Sequence, residues 1–303
     1  MELLTTSTPT TWIDLNDINH LQLKTLTEQY DIPNDFLSYA LDKDESARIE
    51  KDYASGTLLI IYDLPYKDES DIADYSSGPM TFIINKRVII TNFSNKKMRE
   101  ELTPLLASNT LNPKYKTAFV LHWMLQISKR FLDYLRVLNR QRTSIEQALG
   151  STPKNKELLL LMKIERSLIY FIMSLKSNFM VINKIRSGKY LKLYDEDHDL
   201  LDDLIIELEQ GMDMAEISNR IINEMTDSYY SLISNDTNSI MKILTIVSVI
   251  LTIPTIVFSF YGMNVPLPFT QNRSFAWETI TAIALILSVI SSIILIRRDY
   301  FSK

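Results

Sequence analysis

The sequence predicts an α+β N-terminal domain, then long helices, then a two-span transmembrane helical hairpin at the C-terminal end. Three observations carry that fold class. Two uncharged runs of 18 residues each, 243–260 and 279–296, stand near the end of the chain. A helical pattern disturbed only by Gly211 and Pro254 fills 199–260. Short runs rich in β-branched and aromatic residues are concentrated in the first third. A chain of 303 residues allows one or two domains.

Residues 1–112 read as a mixed α/β domain. Residues 57–64 and 80–84 are short β-rich runs. Val88–Phe93 follows the turn Asn85-Lys86-Arg87 as a hairpin partner. A short helix is expected over 35–41, and the acidic, serine-containing stretch 66–78 reads as a loop. The first residues have no basic start and no apolar stretch, so no signal peptide is expected. The chain has no cysteine, which excludes disulfides and thiolate metal sites.

Residues 113–195 read as packing helices. Two of them, 115–149 and 156–187, are separated by Gly150-Ser151-Thr152-Pro153, a turn and helix-start signal. Their apolar stretches are interrupted by Lys163, Glu165, Arg166 and Lys176, so they are not spans. From 114 to 192 there are 16 basic and 4 acidic residues. They are spread along two helices without a recognition motif, so nucleic acid is not an expected partner. A solvated face, or one apposed to the acidic segment that follows, fits better.

That segment, 195–227, holds 12 acidic residues against Arg220. Residues 196–240 form a stalk helix, since an uninterrupted helix over 199–260 is on the order of 90 Å long and exceeds any one globule. No nucleotide-binding glycine pattern, zinc-ligand cluster or nucleophile elbow occurs. His20, His122 and His198 lie far apart and read as separate structural or surface residues. An enzyme is not expected.

Each uncharged run is long enough to cross the roughly 30 Å hydrocarbon layer. The first span, 241–260, carries Thr245, Ser248, Thr252, Thr255 and Ser259 at steps of three and four residues. The same rhythm runs backwards through Met241, Asn238, Ser234, Ser231, Asp227 and Glu224. A period near 3.5 keeps one stripe toward a partner helix or a central axis. Isolated Ser or Thr residues commonly bond back to their own helix. Five in register, continued below by an amide and a carboxylate, point to a stripe facing a pore. Two spans cannot enclose a pore, so several copies of the chain are required. Pro254 removes one backbone donor and is expected to kink the helix. The outer loop, 261–275, precedes the second span, 276–296. The tail, 297–303, carries Arg297, Arg298 and Lys303 against Arg273 in the loop. The positive-inside rule then puts both termini in the cytoplasm of a multi-pass protein of the cell membrane.

Asn238-Ser-Ile-Met241-Lys242-Ile-Leu244-Thr245, then Pro254, then Tyr261-Gly262-Met263-Asn264 resembles the signature of CorA-type magnesium channels. The likeness is specific over about the last hundred residues and architectural before them. It implies a funnel-shaped homopentamer in membrane lipid, with a cytosolic body and the second span surrounding the first. It also implies that Mg²⁺ is both transported and regulatory, with no organic cofactor. Tyr261, Gly262, Met263 and Asn264 would form the outer selectivity ring, with Asn264 as the acceptor and Tyr261 bracing the loop. Asp203 stands where a regulatory acid would bind Mg²⁺ between subunits, its partner carboxylate unassigned. Thr252, Thr255 and Ser259 would offer hydroxyls below the ring. Met241 and Leu244 suit a constriction that closes by dewetting, and Asn238 and Asp227 would receive the ion beneath it.

Two rivals compete with that reading. A relative moving Zn²⁺, Co²⁺ or Ni²⁺ would use the same scaffold, although Met263 favours the magnesium branch. Val265-Pro-Leu-Pro-Phe269 departs from the acidic residues that often follow the triplet, which bears on conductance and ion preference. A membrane-anchored coiled-coil signalling protein would explain the long helix and the anchors. It would not explain the polar register inside the span.

Overall fold

A computed structural model describes residues 2–5, 10–15, 20–68, 73–102, 112–149, 155–265 and 275–297. The turn expected at 150–153, most of the outer loop and the basic tail beyond Arg297 lie outside the described residues. The chain divides into two compact units, Met1–Thr226 and Asp227–Lys303.

The first unit is built on a six-stranded sheet ordered β1-β2-β6-β5-β4-β3. Its strands are β1 (Glu2–Thr5), β2 (Thr11–Leu15), β3 (Arg48–Lys51), β4 (Leu58–Lys67), β5 (Tyr75–Ile84) and β6 (Val88–Phe93). Neighbours are antiparallel except β2 and β6, which pair in parallel. In β4, Leu58 to Tyr62 are all buried, as expected of a strand covered on both faces. On one face, Ile13, Leu59, Ile61, Ile83 and Ile90 pack with α1 (His20–Tyr30) and α2 (Asn34–Leu41). On the other, Trp12, Ile60, Tyr62, Phe82 and Ile89 join one continuous core with three long helices. These are α4 (Lys116–Leu149), α5 (Asn155–Arg186) and the first part of α6 (Asp195–Tyr261). The short α3 (Lys96–Glu101) lies between β6 and α4 in the chain and buries Met98 in the same core.

The hairpin at Asn85 forms as expected, with Asn85 Oδ1 accepting from the Arg87 and Val88 amides at 2.9 and 3.0 Å. Of the loop expected over 66–78, residues 66–67 and 75–78 are strand instead, and 69–72 lie outside the described residues. The β4–β5 ladder runs from Leu58 opposite Ile84 to Lys67 opposite Tyr75. Pro65, Gly78 and Pro79 read as breakers, but packing overrides them. Tyr75 is buried against Phe171 and Tyr134, and Asn178 clamps the Asp63 amide and carbonyl, each at 2.8 Å. Gly78 sits close to α3, since a Cβ there would lie 3.2 Å from Ser94 Oγ and 3.3 Å from Met98 Sδ, and those side chains would have to shift slightly. The basic and acidic helices meet at Lys176 and Glu216, 2.6 Å apart.

α6 continues through both Gly211 and Pro254 for 67 residues, about 100 Å at the helical rise. The second unit holds its C-terminal part and α7 (Ala276–Arg297). Both contain windows long and apolar enough to cross a membrane, and only 6% and 11% of those windows are buried. Bare apolar helices of this length require lipid or further protein around them.

Candidate functional site

The span within α6 has two unlike faces. Within the chain, Ile246, Ile250, Ile253, Pro254, Val257 and Tyr261 are wholly or partly covered. Thr245, Ser248, Thr252, Thr255 and Ser259 are exposed. At about 100° per residue, the centres of these two sets are separated by roughly 170–180° around the helix. The polar stripe therefore faces away from the surface that the chain itself covers. On α7 the buried positions include the small residues Ala284 and Ser288, as suits close helix approach in lipid.

The hydroxyls have a defined polarity. Thr245, Thr252 and Thr255 donate to the carbonyls of Met241, Ser248 and Leu251 at 2.8, 2.7 and 2.9 Å. Their protons are thus engaged by the helix, and the oxygen lone pairs remain as outward acceptors. Back-bonding alone does not mark the stripe, since Thr281 and Ser292 of α7 do the same. The arrangement about the axis does. A shallow groove of about 410 Å³ follows it, lined by Leu244, Thr245, Ser248, Val249, Thr252, Ile253 and Ile256. Asp227 and Asn238 below the span, and Met241 and Leu244 at its inner end, are exposed as well.

Helix α6 stops at Tyr261, whose ring meets Phe260 edge-on at 5.4 Å. Gly262 closes it, donating to Phe258 O at 2.9 Å and Ser259 O at 3.3 Å. A Cβ at Gly262 would lie 3.2 Å from the Phe258 carbonyl oxygen, so a side chain would crowd the cap. Met263 and Asn264 follow, exposed, at the negative end of the helix dipole. The stripe and the four-residue motif therefore belong to one helix and its cap.

Asp203 lies elsewhere, exposed on α6, while Leu201, Leu204 and Leu208 enter the core of the first unit. Among the described residues no three carboxylates or imidazoles gather in a metal-binding group. The histidines stay apart: His122 Nδ1 lies 2.7 Å from Ala118 O, and His198 is exposed.

The sequence reading did not single out Asp63. It lines a concavity of about 260 Å³ with Asp44, Glu45, Ser77, Tyr170 and Ser174. Burial pushes its carboxyl up to about 6, against the opposing effect of a hydrogen bond with Ser174. Its signal was available as the one carboxylate inside the apolar run 58–64.

An α/β body followed by long helices and two apolar helices left bare within the chain is the architecture expected of a membrane protein. The family described as "CorA-like Mg2+ transporter protein" matches residues 8–298, and the chain belongs to that family. The cobalt/magnesium transport protein CorA of Methanocaldococcus jannaschii is 28% identical over 284 residues, covering 92% of this chain and 87% of the relative. The complete structure of the CorA magnesium transporter from that organism has a TM-score of 0.81 at 24% identity, covering 97% of this chain and 92% of that one. Full-length CmaX shares the fold at a TM-score of 0.70 and 14% identity, over 95% of this chain and 90% of that chain. The cytoplasmic domain of ZntB from Vibrio parahaemolyticus reaches 0.51 at 11% identity, over 73% and 89%.

Proposed function

We propose that this chain is the subunit of a divalent-cation channel, several copies of which surround an axis lined by the stripe of α6. Mg²⁺ is the favoured cargo. Co²⁺ is the second reading, because the curated relative is a cobalt/magnesium transport protein. The observation that carries the proposal is the opposition of the two faces: the polar edge is left open by the chain's own packing.

The chemistry suits a hydrated ion. Mg²⁺ sheds water reluctantly, and its inner waters point hydrogens outward. The wall must then accept, which the back-bonded hydroxyls of Thr245, Thr252 and Thr255 do. Asn264 adds an amide oxygen at the outer mouth, where the carboxyl end of the helix favours positive charge. Gly262 lets the chain turn there without a side chain, and Tyr261 braces the turn. Met263, exposed in one chain, packs against another copy. Ser248 and Ser259 extend the acceptor wall, Met241 and Leu244 form the apolar constriction, and Asn238 and Asp227 stand at its inner side. Entry with both termini cytoplasmic is driven by the potential, worth about 4.6 kcal/mol per 100 mV for a divalent ion. Asp203 serves as a regulatory site at which cytosolic Mg²⁺ relieves repulsion between copies. Loss of that ion loosens the ring and wets the gate.

Because the chain has no cysteine, single cysteines can be placed without background. In liposomes holding the full chain, residues 245, 252 and 255 should react with a water-soluble thiol reagent, and Mg²⁺ should protect them. Positions 246, 250 and 257 should not react. Asn264→Ala should lower Mg²⁺ flux by about tenfold or more, equivalent to roughly 1.4 kcal/mol. Labelling confined to the covered face, or flux indifferent to Asn264, would remove the channel reading.

A further inference from the structure

One helix face of the first unit is apolar and uncovered. Along α5, Leu159, Met162, Ile169, Met173 and Met180 are each between 41% and 64% exposed. With Arg166 and Lys176, also exposed, they follow one another at steps of three and four residues. That period lays them in one straight seam, the pattern by which a helix meets a partner lengthwise. The opposite side of α5, with Leu168, Phe171 and Leu175, enters the core, so the seam does not hold the body together. A solvated face looks different. Among the described residues of α4, Val137 is the one exposed large hydrophobic, at 36%, among Lys129, Asp133, Arg136 and Arg140. Apolar residues gathered in one exposed row mark a surface that something covers, and methionine suits a face that adapts to its partner.

α6 carries a second seam of the same period and the opposite charge. Asp199, Asp203, Ile206, Gln210, Asp213 and Ile217 alternate at four and three residues and are all exposed. Ile206 and Ile217 are 61% and 56% exposed. Asp202 and Glu209, also exposed, flank this seam and add to its negative charge. The α5 seam has two cations and no carboxylate, and Lys163 and Glu165 beside it offset each other. Lys176 meets Glu216 of its own chain at 2.6 Å, yet the two side chains remain 55% and 43% exposed. Both seams stay open in one chain, so they do not cover each other within it. Each supplies what suits the other: isoleucines beside carboxylates on α6, methionines beside cations on α5. Opposite potentials brought together fix register and exclude like faces. Each seam runs for roughly 30 Å at the helical rise, so the two match in length.

We propose that the α5 seam of one copy packs along the α6 seam of the next copy, head to tail. Such packing rests on the reading that several copies surround an axis, and it supplies the faces through which their bodies meet. A contact between two unlike faces repeats from copy to copy and closes into a ring where the rotation allows, with Asp203 at each boundary. The chain has no cysteine, so the test is cross-linking between two full-length chains of different size, co-expressed and purified in detergent. One carries Met173→Cys, near the middle of its seam. The other carries Ile206→Cys or Gln210→Cys, which bracket the middle of theirs. A short bismaleimide should join the unlike chains in preference to like ones. Adding Ile169→Lys and Met180→Lys to the first chain should lower that mixed product by about tenfold or more. Both residues are exposed, so the fold of the body is left intact. A mixed product indifferent to the lysines, or cross-links confined to like chains, would overturn the packing. No cross-link at all, with oligomer size and Mg²⁺ flux unchanged, would overturn it and leave the channel reading standing. A monomer in detergent that gives no flux in liposomes would remove both.

Discussion

The two units treat apolar residues in opposite ways. In the body, Trp123, Tyr62, Phe82 and Phe131 have no exposure at all. In the hairpin, Leu251 and Ile256 are 65% and 62% exposed although equally apolar. The body has a core closed by its own side chains, as a water-soluble core must be, although Leu159, Met173, Met180 and Ile206 stay exposed on its long helices. The hairpin is complete only when something else covers it. Lipid can cover the apolar part of that surface, but it gives no partner to a row of hydroxyl oxygens. The body has a core of its own and the hairpin has almost none, and the open polar edge of the hairpin is where the transport chemistry is proposed.

Four substitutions sharpen that contrast. The largest effect is expected in the closed region. Trp123 packs edge-on to Trp12 and Phe82 at 6.3 and 6.4 Å between ring centroids. Trp123→Ala should cost the body about 3–5 kcal/mol, read as a fall in the first thermal transition of the full chain in detergent. Ile256→Ala in the bare span should leave that transition in place. Equal losses would show that the hairpin is also self-packed.

Next in size is Asp63. Its folded carboxyl is raised to about 6, above the ordinary value of 3.8. The folded state therefore holds the proton more tightly than the unfolded chain does between those values. Stability should fall as pH rises from about 4 to 6, by an amount on the order of 2 kcal/mol, and then level off. Asp63→Asn should flatten that part of the pH–stability curve while keeping the backbone clamp to Asn178. A slope that survives the substitution would assign it to another group.

The smallest effect belongs to Gly211. It sits inside α6, and a Cβ there would meet Leu175 at 3.4 Å, ordinary contact. Gly211→Ala should stabilise the helix by up to about 1 kcal/mol, measured by the same thermal scan. Destabilisation would mean that α5 and α6 have no room to spare.

The membrane half was the more legible in sequence because its signals are local. Uncharged length, a three-and-four rhythm and the Tyr261–Asn264 cap all lie within one helix and its end. The hairpin at Asn85 and the long helices of the body were legible for the same reason. The long β4–β5 ladder was not, since Pro65, Gly78 and Pro79 are breakers until the α5 side chains Asn178 and Phe171 hold the strands. Nor was β2, five residues long, whose parallel partner β6 lies far along the chain. Asp14 and Arg99 are likewise separated in sequence, and only the sheet order brings them together. Contacts of high sequence separation leave no periodic trace.

The inward-bonded threonines have one last implication. A lining whose protons are committed to its own carbonyls would discriminate by polarity with no formal charge. Chloride would find nothing there to bind it, and no group along that stretch would titrate near neutrality. Ion preference set there should then persist from mildly acid to mildly alkaline solution, and added salt should do little to screen it.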